Sequence, residues 1–235
     1  PCEGKSEAAP EPTPAQAAAL ATIVAARGFQ AFLLEGVTGS GKTEVYLRAI
    51  AARLAAGRQS LVIVPEIGLT PQLVERFRRR FSGTNIALLH SGLTDRQRLA
   101  AWLGAREGKA EIIIGTRSAV FAPLPRPGLI VIDEEHDLSL KQQDGFRYSA
   151  RDIAVWRARQ LGVPIVLGSA TPSLETLANA GSGRYQRLRL PERTGTALPP
   201  RFHLVDLRRQ AATDGLTPTL LAAMERHLGE GEKVQ

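Results

Sequence analysis

Residues 31–47 read AFLLEGVTGSGKTEVYL, in which an apolar run leads into a glycine-rich turn and then into apolar residues at near-helical spacing. The turn, residues 36–43, matches the pattern of a glycine, four intervening residues and then Gly-Lys-Thr. When a strand and a helix flank such a turn, its amides and the helix N-terminus point to one place and bind phosphate. A plain glycine turn is the alternative. The two flanks favour a nucleoside triphosphate site.

Within this turn each residue type has a physical role. Lys42 is expected to supply positive charge to the β- and γ-phosphates, and Thr43 is expected to ligate a magnesium ion. The residues that we expect to hold the nucleotide here are Gly36, Thr38, Gly39, Ser40, Gly41, Lys42 and Thr43.

Short apolar runs recur along the chain, with helical stretches between most of them. Beyond the first run they occupy residues 61–64, 86–89, 111–114, 129–132 and 164–167. Unbroken apolar strands that alternate with helices predict an α/β fold with a mostly parallel sheet flanked by helices. In such a sheet, ligands bind beyond the carboxyl ends of the strands. The polar motifs that follow these runs are therefore expected to share one edge of the sheet.

A cluster of carboxylates, DEEHD at residues 133–137, follows the apolar run LIVI. A carboxylate at the tip of a strand can ligate Mg²⁺ together with the loop threonine, here Asp133 with Thr43. The next carboxylate, Glu134, can orient and deprotonate an attacking water. An acidic cluster after a strand is otherwise only a solvated loop. Its place downstream of the phosphate-binding turn favours triphosphate hydrolysis, with Lys42, Glu134 and Asp133 as the catalytic group.

Composition narrows the class of protein. The chain has 235 residues and a net charge of +7, and residues 184–209 contain seven arginines against Glu192 and Asp206. This excess indicates a polyanion such as nucleic acid, or simply an arginine-solvated surface. The single cysteine, Cys2, excludes internal disulfides and a cysteine-based zinc cluster. No apolar run reaches the length of a membrane span, so we expect a soluble, cytoplasmic protein without a membrane partner.

The sequence suggests three regions. Residues 1–12 are expected to be a linker, residues 13–180 a nucleotide-binding lobe, and residues 181–235 a connecting segment with the incomplete start of a second lobe. In this last region, YQRLRL (185–190) and FHLVDL (202–207) are predicted to be connecting strands. A helix is predicted from Thr217-Pro218 to about Leu228, and a new strand at the C-terminus, so we expect a fragment of a longer protein.

The string DEEH at residues 133–136, followed by GSAT at residues 168–171, resembles superfamily 2 helicases. Four further stretches, at residues 64–72, 89–98, 115–124 and 141–155, resemble the PriA family of replication-restart helicases, also called primosomal protein N prime. This resemblance implies a RecA-like helicase lobe and ATP-driven 3′ to 5′ unwinding with Mg²⁺. It also implies single-stranded and forked DNA as ligands, with primosome and single-strand-binding proteins as partners.

The resemblance assigns roles to individual residues. It implies that Gln16 reads adenine, for which an amide is suited because it can pair with the base edge through two hydrogen bonds. Thr70, Thr116 and Arg117 would contact DNA phosphates, although Thr70 can equally cap a helix. The residues that would sense DNA and couple it to the ATP site are Phe146, Arg147, Tyr148, Ser169 and Thr171.

Alternatives remain at this point. Phe146 and Tyr148 could simply anchor their loop to the core. The family's N-terminal DNA-binding region, zinc cysteines and second-lobe arginines are absent from this sequence, so no zinc is expected and a transition-state arginine would come from elsewhere. Two other functions are therefore open: another superfamily 2 translocase, and a module that binds nucleotide and DNA without turnover.

Overall fold

A computed structural model describes residues 10–194 and 203–229 and divides into two compact units. The helices are α1 (Pro14–Ala25), α2 (Lys42–Ala55), α3 (Pro71–Arg80), α4 (Asp95–Arg106), α5 (Ala150–Leu161), α6 (Leu174–Gly181) and α7 (Pro218–Gly229). The strands are β1 (Ala31–Gly36), β2 (Gln59–Ile63), β3 (Ile86–Leu89), β4 (Ile112–Gly115), β5 (Pro127–Ile132), β6 (Lys141–Gln142), β7 (Tyr148–Ser149), β8 (Ile165–Ser169) and β9 (Tyr185–Leu190). Short 3₁₀ helices span Glu66–Gly68, Arg117–Phe121 and Leu138–Leu140.

The first unit is built on a seven-stranded sheet of order β3-β4-β2-β5-β8-β1-β9. Every described pairing in this sheet is parallel. The carboxyl ends of β1, β2, β4, β5 and β8 therefore meet at one edge, where the polar motifs follow them. The predicted α/β fold with a parallel sheet and flanking helices is confirmed.

The strands read as unbroken apolar runs because both faces of the sheet are covered. In β2, Leu61 and Ile63 belong to one core cluster, whereas Val62 and the following Val64 belong to the cluster on the other face. Successive side chains of a strand point to opposite faces, so a strand buried on both sides needs apolar residues at every position.

The strand β9 belongs to the main sheet rather than to a connecting segment. It pairs in parallel with β1, from Ala31 opposite Tyr185 to Gly36 opposite Leu190. The first unit therefore continues past the predicted boundary at residue 180 and includes Thr194. The edge position explains why its pattern is less apolar than that of the central strands.

In the second unit, the predicted helix is confirmed as α7. The strand predicted at FHLVDL is wrong over the described residues 203–207, which have no regular structure and expose both Leu204 and Leu207. Alternating apolar residues form a strand only beside a partner strand, and the described part of this unit supplies none. The C-terminal strand and most of the N-terminal linker lie outside the described residues. Within residues 10–194 and 203–229, no helix is long and apolar enough to cross a membrane.

Candidate functional site

The glycine-rich turn at residues 36–43, which we predict to bind phosphate and call the phosphate-binding loop, connects the end of β1 to the first turn of α2. Gly39 and Gly41 both have φ of +80°, a conformation that favours glycine. At Gly36 a Cβ atom would overlap the Ser40 hydroxyl, so a larger residue does not fit. Gly41 is the N-cap of α2, which places the unpaired amides of the first helical turn in the loop. This backbone geometry is suited to an anion.

Two further features of the loop concern Ser40 and Gly39. The buried Ser40 hydroxyl has no hydrogen-bond partner among the described residues, which leaves one polar group free in the loop. Thr194, beyond β9, donates from both its backbone N and its Oγ1 to the Gly39 carbonyl at 2.8 Å. The end of the described first unit is therefore attached directly to the phosphate-binding loop.

Lys42 joins this loop to the acidic box, residues 133–137. Its buried ammonium donates to the Gly36 carbonyl at 3.0 Å and lies 3.7 Å from Glu134 Oε1. The two motifs are far apart in sequence, and the parallel sheet brings their strands β1 and β5 to the same edge on either side of β8. The cation predicted to bind phosphate and the carboxylate predicted to activate water are thus neighbours.

Glu134 has an unusual backbone for a residue with a side chain. Its φ is +45°, in the left-handed region, where strain is commonly found at functional sites. The side chain is 38% exposed and lies between Lys42 and His136, whose Nδ1 is 3.6 Å from Glu134 Oε2. The carboxylate is therefore fixed near the loop and still open to water.

Asp133 lies deeper than Glu134. Its Oδ1 accepts hydrogen bonds from Tyr46 Oη and from the Glu134 backbone N, both at 3.1 Å. Burial, and secondarily the charge of Glu134, raises the pKa of Asp133 above its ordinary value. A divalent cation would compensate this buried charge. Mg²⁺ prefers oxygen ligands. Asp133 offers a carboxylate and Thr43, the second residue of α2, offers a hydroxyl, so these residues fit the ion.

Tyr46 supports Asp133 through a hydrogen bond that the sequence pattern did not predict. Its ring is fully buried, and burial followed by the charge of Asp133 raises its pKa well above the ordinary value, so the phenol remains a donor. A Cβ atom at Gly168 would overlap the Tyr46 hydroxyl, which explains the glycine at that point of the GSAT segment.

Gln16 lies against the phosphate-binding loop with only 4% of its surface exposed. Its Nε2 donates to the Ser40 carbonyl at 2.8 Å, and its Oε1 accepts from the Thr13 backbone N at 3.0 Å. One N–H and one lone pair of the amide remain for adenine, whose recognition by Gln16 stays a prediction. The contact with Thr13 is a capping box, for which the spacing Thr-x-x-Gln in the sequence was an available signal.

Glu135 is a second residue, after Tyr46, whose supporting contacts the sequence did not predict. Its side chain is completely buried and accepts from Arg151 Nη1 at 3.2 Å, Ser173 N at 2.7 Å, Ser173 Oγ at 3.1 Å and Thr176 Oγ1 at 2.8 Å. These partners belong to the first turns of α5 and α6 and to the N-cap of α6. The carboxylate therefore fixes the acidic box to two helices.

His136 connects the acidic box to the GSAT segment. Its Nδ1 is 2.8 Å from Ser169 Oγ, and its Nε2 is 3.3 Å from Thr171 Oγ1. Ser169 also accepts from the Thr171 backbone N at 3.0 Å. The predicted coupling residues Ser169 and Thr171 are thus in contact with the candidate catalytic segment through one imidazole.

A cleft of about 350 Å³ unites these parts. It is lined by Thr38, Val64, Pro65, Gly68, Asp133, Glu134, His136, Asp137, Ala170 and Thr171. The phosphate-binding loop, the acidic box and the GSAT segment therefore face one space.

The residues predicted to contact DNA lie beside a groove of about 720 Å³ that adjoins the ends of β3 and β4. Thr116 lines this groove and is nearly buried. Thr70 caps α3, accepting from Leu73 N at 3.2 Å, and the two expected roles of Thr70 are compatible. Arg117 instead donates from Nη1 to the carbonyls of Ser139 at 3.1 Å and Lys141 at 3.3 Å, so it joins its 3₁₀ helix to the segment after the acidic box.

The segment of residues 144–152, predicted to be an exposed loop, continues into β7 and the first turn of α5, and it has one exposed and one anchored aromatic ring. Phe146 is 78% exposed, and Arg147 is exposed beside it. Tyr148 is half-buried, packs on the core and lies 5.1 Å from the ring of Phe121 and 6.0 Å from that of Phe146. The anchoring interpretation therefore fits Tyr148, whereas Phe146 is available to a base.

Comparison with known proteins gives a family match. The family model described as DEAD/DEAH box helicase matches residues 13–180. Three relatives named replication restart protein PriA are similar to most of the chain. The protein from Haemophilus influenzae is 50% identical over 93% of the chain, that from Synechocystis sp. 46% over 94%, and that from Bacillus subtilis 43% over 86%. These relatives confirm the resemblance found in the sequence. The chain spans 30%, 27% and 25% of their respective lengths.

Solved structures agree on the fold. RecG bound to a three-way DNA junction superposes with a TM-score of 0.58 at 26% identity, over 81% of this chain and 24% of that one. The DEAD-box helicase Mss116 bound to single-stranded RNA and UDP-BeF superposes with a TM-score of 0.56 at 20% identity, over 77% of this chain and 40% of that one. Both share the RecA-like α/β fold.

Proposed function

The chain belongs to the DEAD/DEAH box helicase family, and on that basis we propose that it is the ATP-binding lobe of a DNA helicase of replication restart. The observation that supports this proposal is the 3.7 Å approach of Lys42 Nζ to Glu134 Oε1, because a cation suited to phosphate and a carboxylate suited to act as a base are then neighbours. Similarity to the PriA proteins supports DNA as the polymer and restart as the process.

The finer parts of the proposal follow the same similarity. The parent protein would hydrolyse ATP to move 3′ to 5′ along single-stranded and forked DNA in the cytoplasm. Primosome and single-strand-binding proteins would be its partners. The exposed basic residues Arg76, Arg78 and Arg79 of α3 are consistent with a polyanionic ligand, whereas Arg80 pairs with Glu44 at 2.9 Å.

At the ATP site each residue has a defined task. On nucleotide binding, Lys42 would exchange its contact with the Gly36 carbonyl for β- and γ-phosphate oxygens. Mg²⁺, held by Thr43 and Asp133, would neutralise phosphate charge. Glu134 would accept the proton of the water that attacks the γ-phosphate. Gln16 would contact adenine from its position against the loop.

Coupling to DNA would pass through contacts that already exist. Arg117 joins the predicted phosphate-contact segment to the backbone just after the acidic box. His136 joins that box to Ser169 and Thr171. A strand bound beside Thr116 would therefore act first on Arg117 and, through it, on the backbone at Ser139 and Lys141, which follows the acidic box.

The test is single-strand-stimulated ATP hydrolysis. It is measured on the chain itself and on a hybrid protein. In the hybrid, this chain replaces the matching segment of the Haemophilus influenzae relative. We expect Lys42→Ala to remove nearly all hydrolysis in the hybrid and to leave its DNA affinity largely intact. Lys109→Ala is the control, since that lysine is exposed and pairs with Glu107 on the surface. Near wild-type hydrolysis by the Lys42 variant would show that the phosphate-binding assignment is wrong. Nucleotide and DNA binding without turnover in the hybrid would instead favour a non-catalytic module.

A further inference from the structure

A second pocket, of about 360 Å³, lies beside the groove that contains Thr116. Its size falls within the roughly 300–1,000 Å³ range of small-molecule sites. Two aromatic side chains, Trp102 and Phe121, line it. The polar groups of its wall come from His90, Ser91, Arg98 and Ser118. The sequence motifs predicted no role for any of these residues.

The aromatic walls are exposed but held in place. Phe121 is 49% exposed, yet its ring meets Tyr148 edge-on, and the carbonyls of its neighbours Val120 and Ala122 both accept from the Arg157 guanidinium. Trp102 is 39% exposed, and the Arg106 guanidinium lies 5.7 Å from its ring centroid. Large aromatic surface that is fixed before binding loses little conformational entropy when a flat ligand stacks on it.

The charge of this pocket favours an anionic ligand. Arg98 is half-exposed, and its ion pair with the exposed Asp95 is a long contact of 3.9 Å. No carboxylate occurs among the described residues that line the pocket. His90 and Ser91 also line the neighbouring groove, together with Thr116 and Arg78, so the pocket and the groove share a wall. A ligand with a planar apolar part and a nearby phosphate matches this combination.

We propose that this pocket holds one unpaired nucleobase of the strand bound in the neighbouring groove, stacked against Trp102 and Phe121. Arg98 pairs with the phosphate of the same nucleotide, and the serine and histidine side chains offer hydrogen bonds to the base edge. Base–aromatic stacking tolerates any sequence because every base has a π-face. This inference rests on the proposed DNA-binding function and adds to it a fixed point that holds the strand by a base as well as by its backbone.

The chain contains two tryptophans, Trp102 and Trp156, which makes a direct test possible. In the Trp156→Phe variant, the remaining indole fluorescence comes from Trp102. In Trp102→Phe it comes from Trp156, which is exposed and lines none of the described pockets. Each variant is titrated with an oligothymidylate and with an abasic oligomer of equal length, while fluorescence anisotropy of the labelled DNA measures occupancy.

We expect the oligothymidylate to quench Trp102 fluorescence and the abasic oligomer to leave it largely unchanged at equal occupancy. Trp156 fluorescence should not respond to either. Trp102→Ala should weaken oligothymidylate binding about 5-fold or more, the lower end of stacking contributions, and should leave abasic binding unchanged. DNA binding without base-dependent quenching of Trp102 would overturn the pocket assignment and leave the proposed function standing. Absence of DNA binding by the chain and by the hybrid protein would overturn both.

Discussion

The hydroxyl of Tyr46 donates a hydrogen bond to Asp133 Oδ1 over 3.1 Å, from a ring that is completely buried between the first turns of α2 and the end of β8. The carboxylate proposed to ligate Mg²⁺ is therefore held by a side chain from the helix that starts at the phosphate-binding loop. Movement of this helix would reorient Asp133 without any change in the acidic box itself.

Replacement of this phenol tests its role in positioning. We expect Tyr46→Phe to raise the Mg²⁺ concentration required for half-maximal nucleotide binding, because Asp133 loses a donor that orients it. The loss of one hydrogen bond should also lower the free energy of unfolding by about 0.5–1.5 kcal/mol. Mg²⁺ titrations with a fluorescent ATP analogue measure the first effect. Tyr185→Phe is the control, and equal Mg²⁺ dependence in both variants would mean that the phenol is only packing.

The buried charge of Asp133 should destabilise the nucleotide-free chain at neutral pH. Since its pKa is raised above the ordinary 3.8, the folded state loses stability as pH rises through the raised value. We therefore expect Asp133→Asn to increase the free energy of unfolding at about pH 7, by roughly 0.5–2 kcal/mol. The gain should shrink as the pH is lowered toward about pH 4, because a larger share of the native carboxyl is then protonated. Urea unfolding at both pH values measures it, and a less stable variant at neutral pH would contradict the burial argument.

The two neighbouring carboxylates should separate in function. Glu134→Gln keeps the shape of the side chain but cannot accept a proton, so we expect nucleotide affinity to persist and hydrolysis to fall by roughly 10²-fold or more. Removal of Asp133 should instead weaken Mg²⁺-dependent binding. Binding and single-turnover hydrolysis in the hybrid protein measure both, with Glu107→Gln as a surface control. Equal loss of affinity in the two variants would refute this division.

Glu135 should contribute to stability more than to chemistry. Its replacement by alanine leaves the partly buried Arg151 without its internal partner, and leaves the Thr176 hydroxyl and the Ser173 backbone N–H without an acceptor. We expect a loss of about 3–5 kcal/mol in the free energy of unfolding, the range for breaking a buried pair. Glu175→Ala is a matched control, because that exposed carboxylate lies 4.0 Å from the same arginine and should change stability by less than about 0.5 kcal/mol. A small effect at Glu135 would show that α6 is held by other contacts.

The exposed ring of Phe146 should carry the response to DNA. We expect Phe146→Ala combined with Tyr148→Ala to spare ATP binding and folding and to remove most of the stimulation of ATP hydrolysis by a single strand. Phe146→Ala alone should reproduce most of the loss, since Tyr148 is packed against Phe121. Rates with and without saturating DNA decide the matter. Leu138→Ala controls for loss of exposed apolar surface, and full stimulation in the double variant would assign the loop to packing.

Local patterns predicted the sheet and the position of its motifs. The apolar runs, the glycine turn and the carboxylates after β5 are each specified by a few consecutive residues. Because parallel strands end at the same edge of a sheet, these patterns also predict that Lys42 lies near Glu134. The prediction of a strand at residues 202–207 is wrong over residues 203–207. An apolar pattern specifies which face of a strand would be buried, but not whether a neighbouring strand exists.

Contacts between distant side chains could not be predicted in this way. The partners of Glu135 come from two helices that begin after it in the chain, and their spacing follows no period. Tyr46 occupied an apolar position of a helix, so its hydroxyl carried no signal. Gln16 was recognised through family resemblance, whereas its contact with the Ser40 carbonyl depends on how α1 packs beside the loop.

The double attachment of Thr194 to the Gly39 carbonyl has a mechanical consequence. The chain leaves the described first unit from a point tied to the tip of the phosphate-binding loop, rather than from the far end of a strand or helix. A shift of that loop on gain or loss of nucleotide would therefore displace Thr194 directly, without first deforming the sheet.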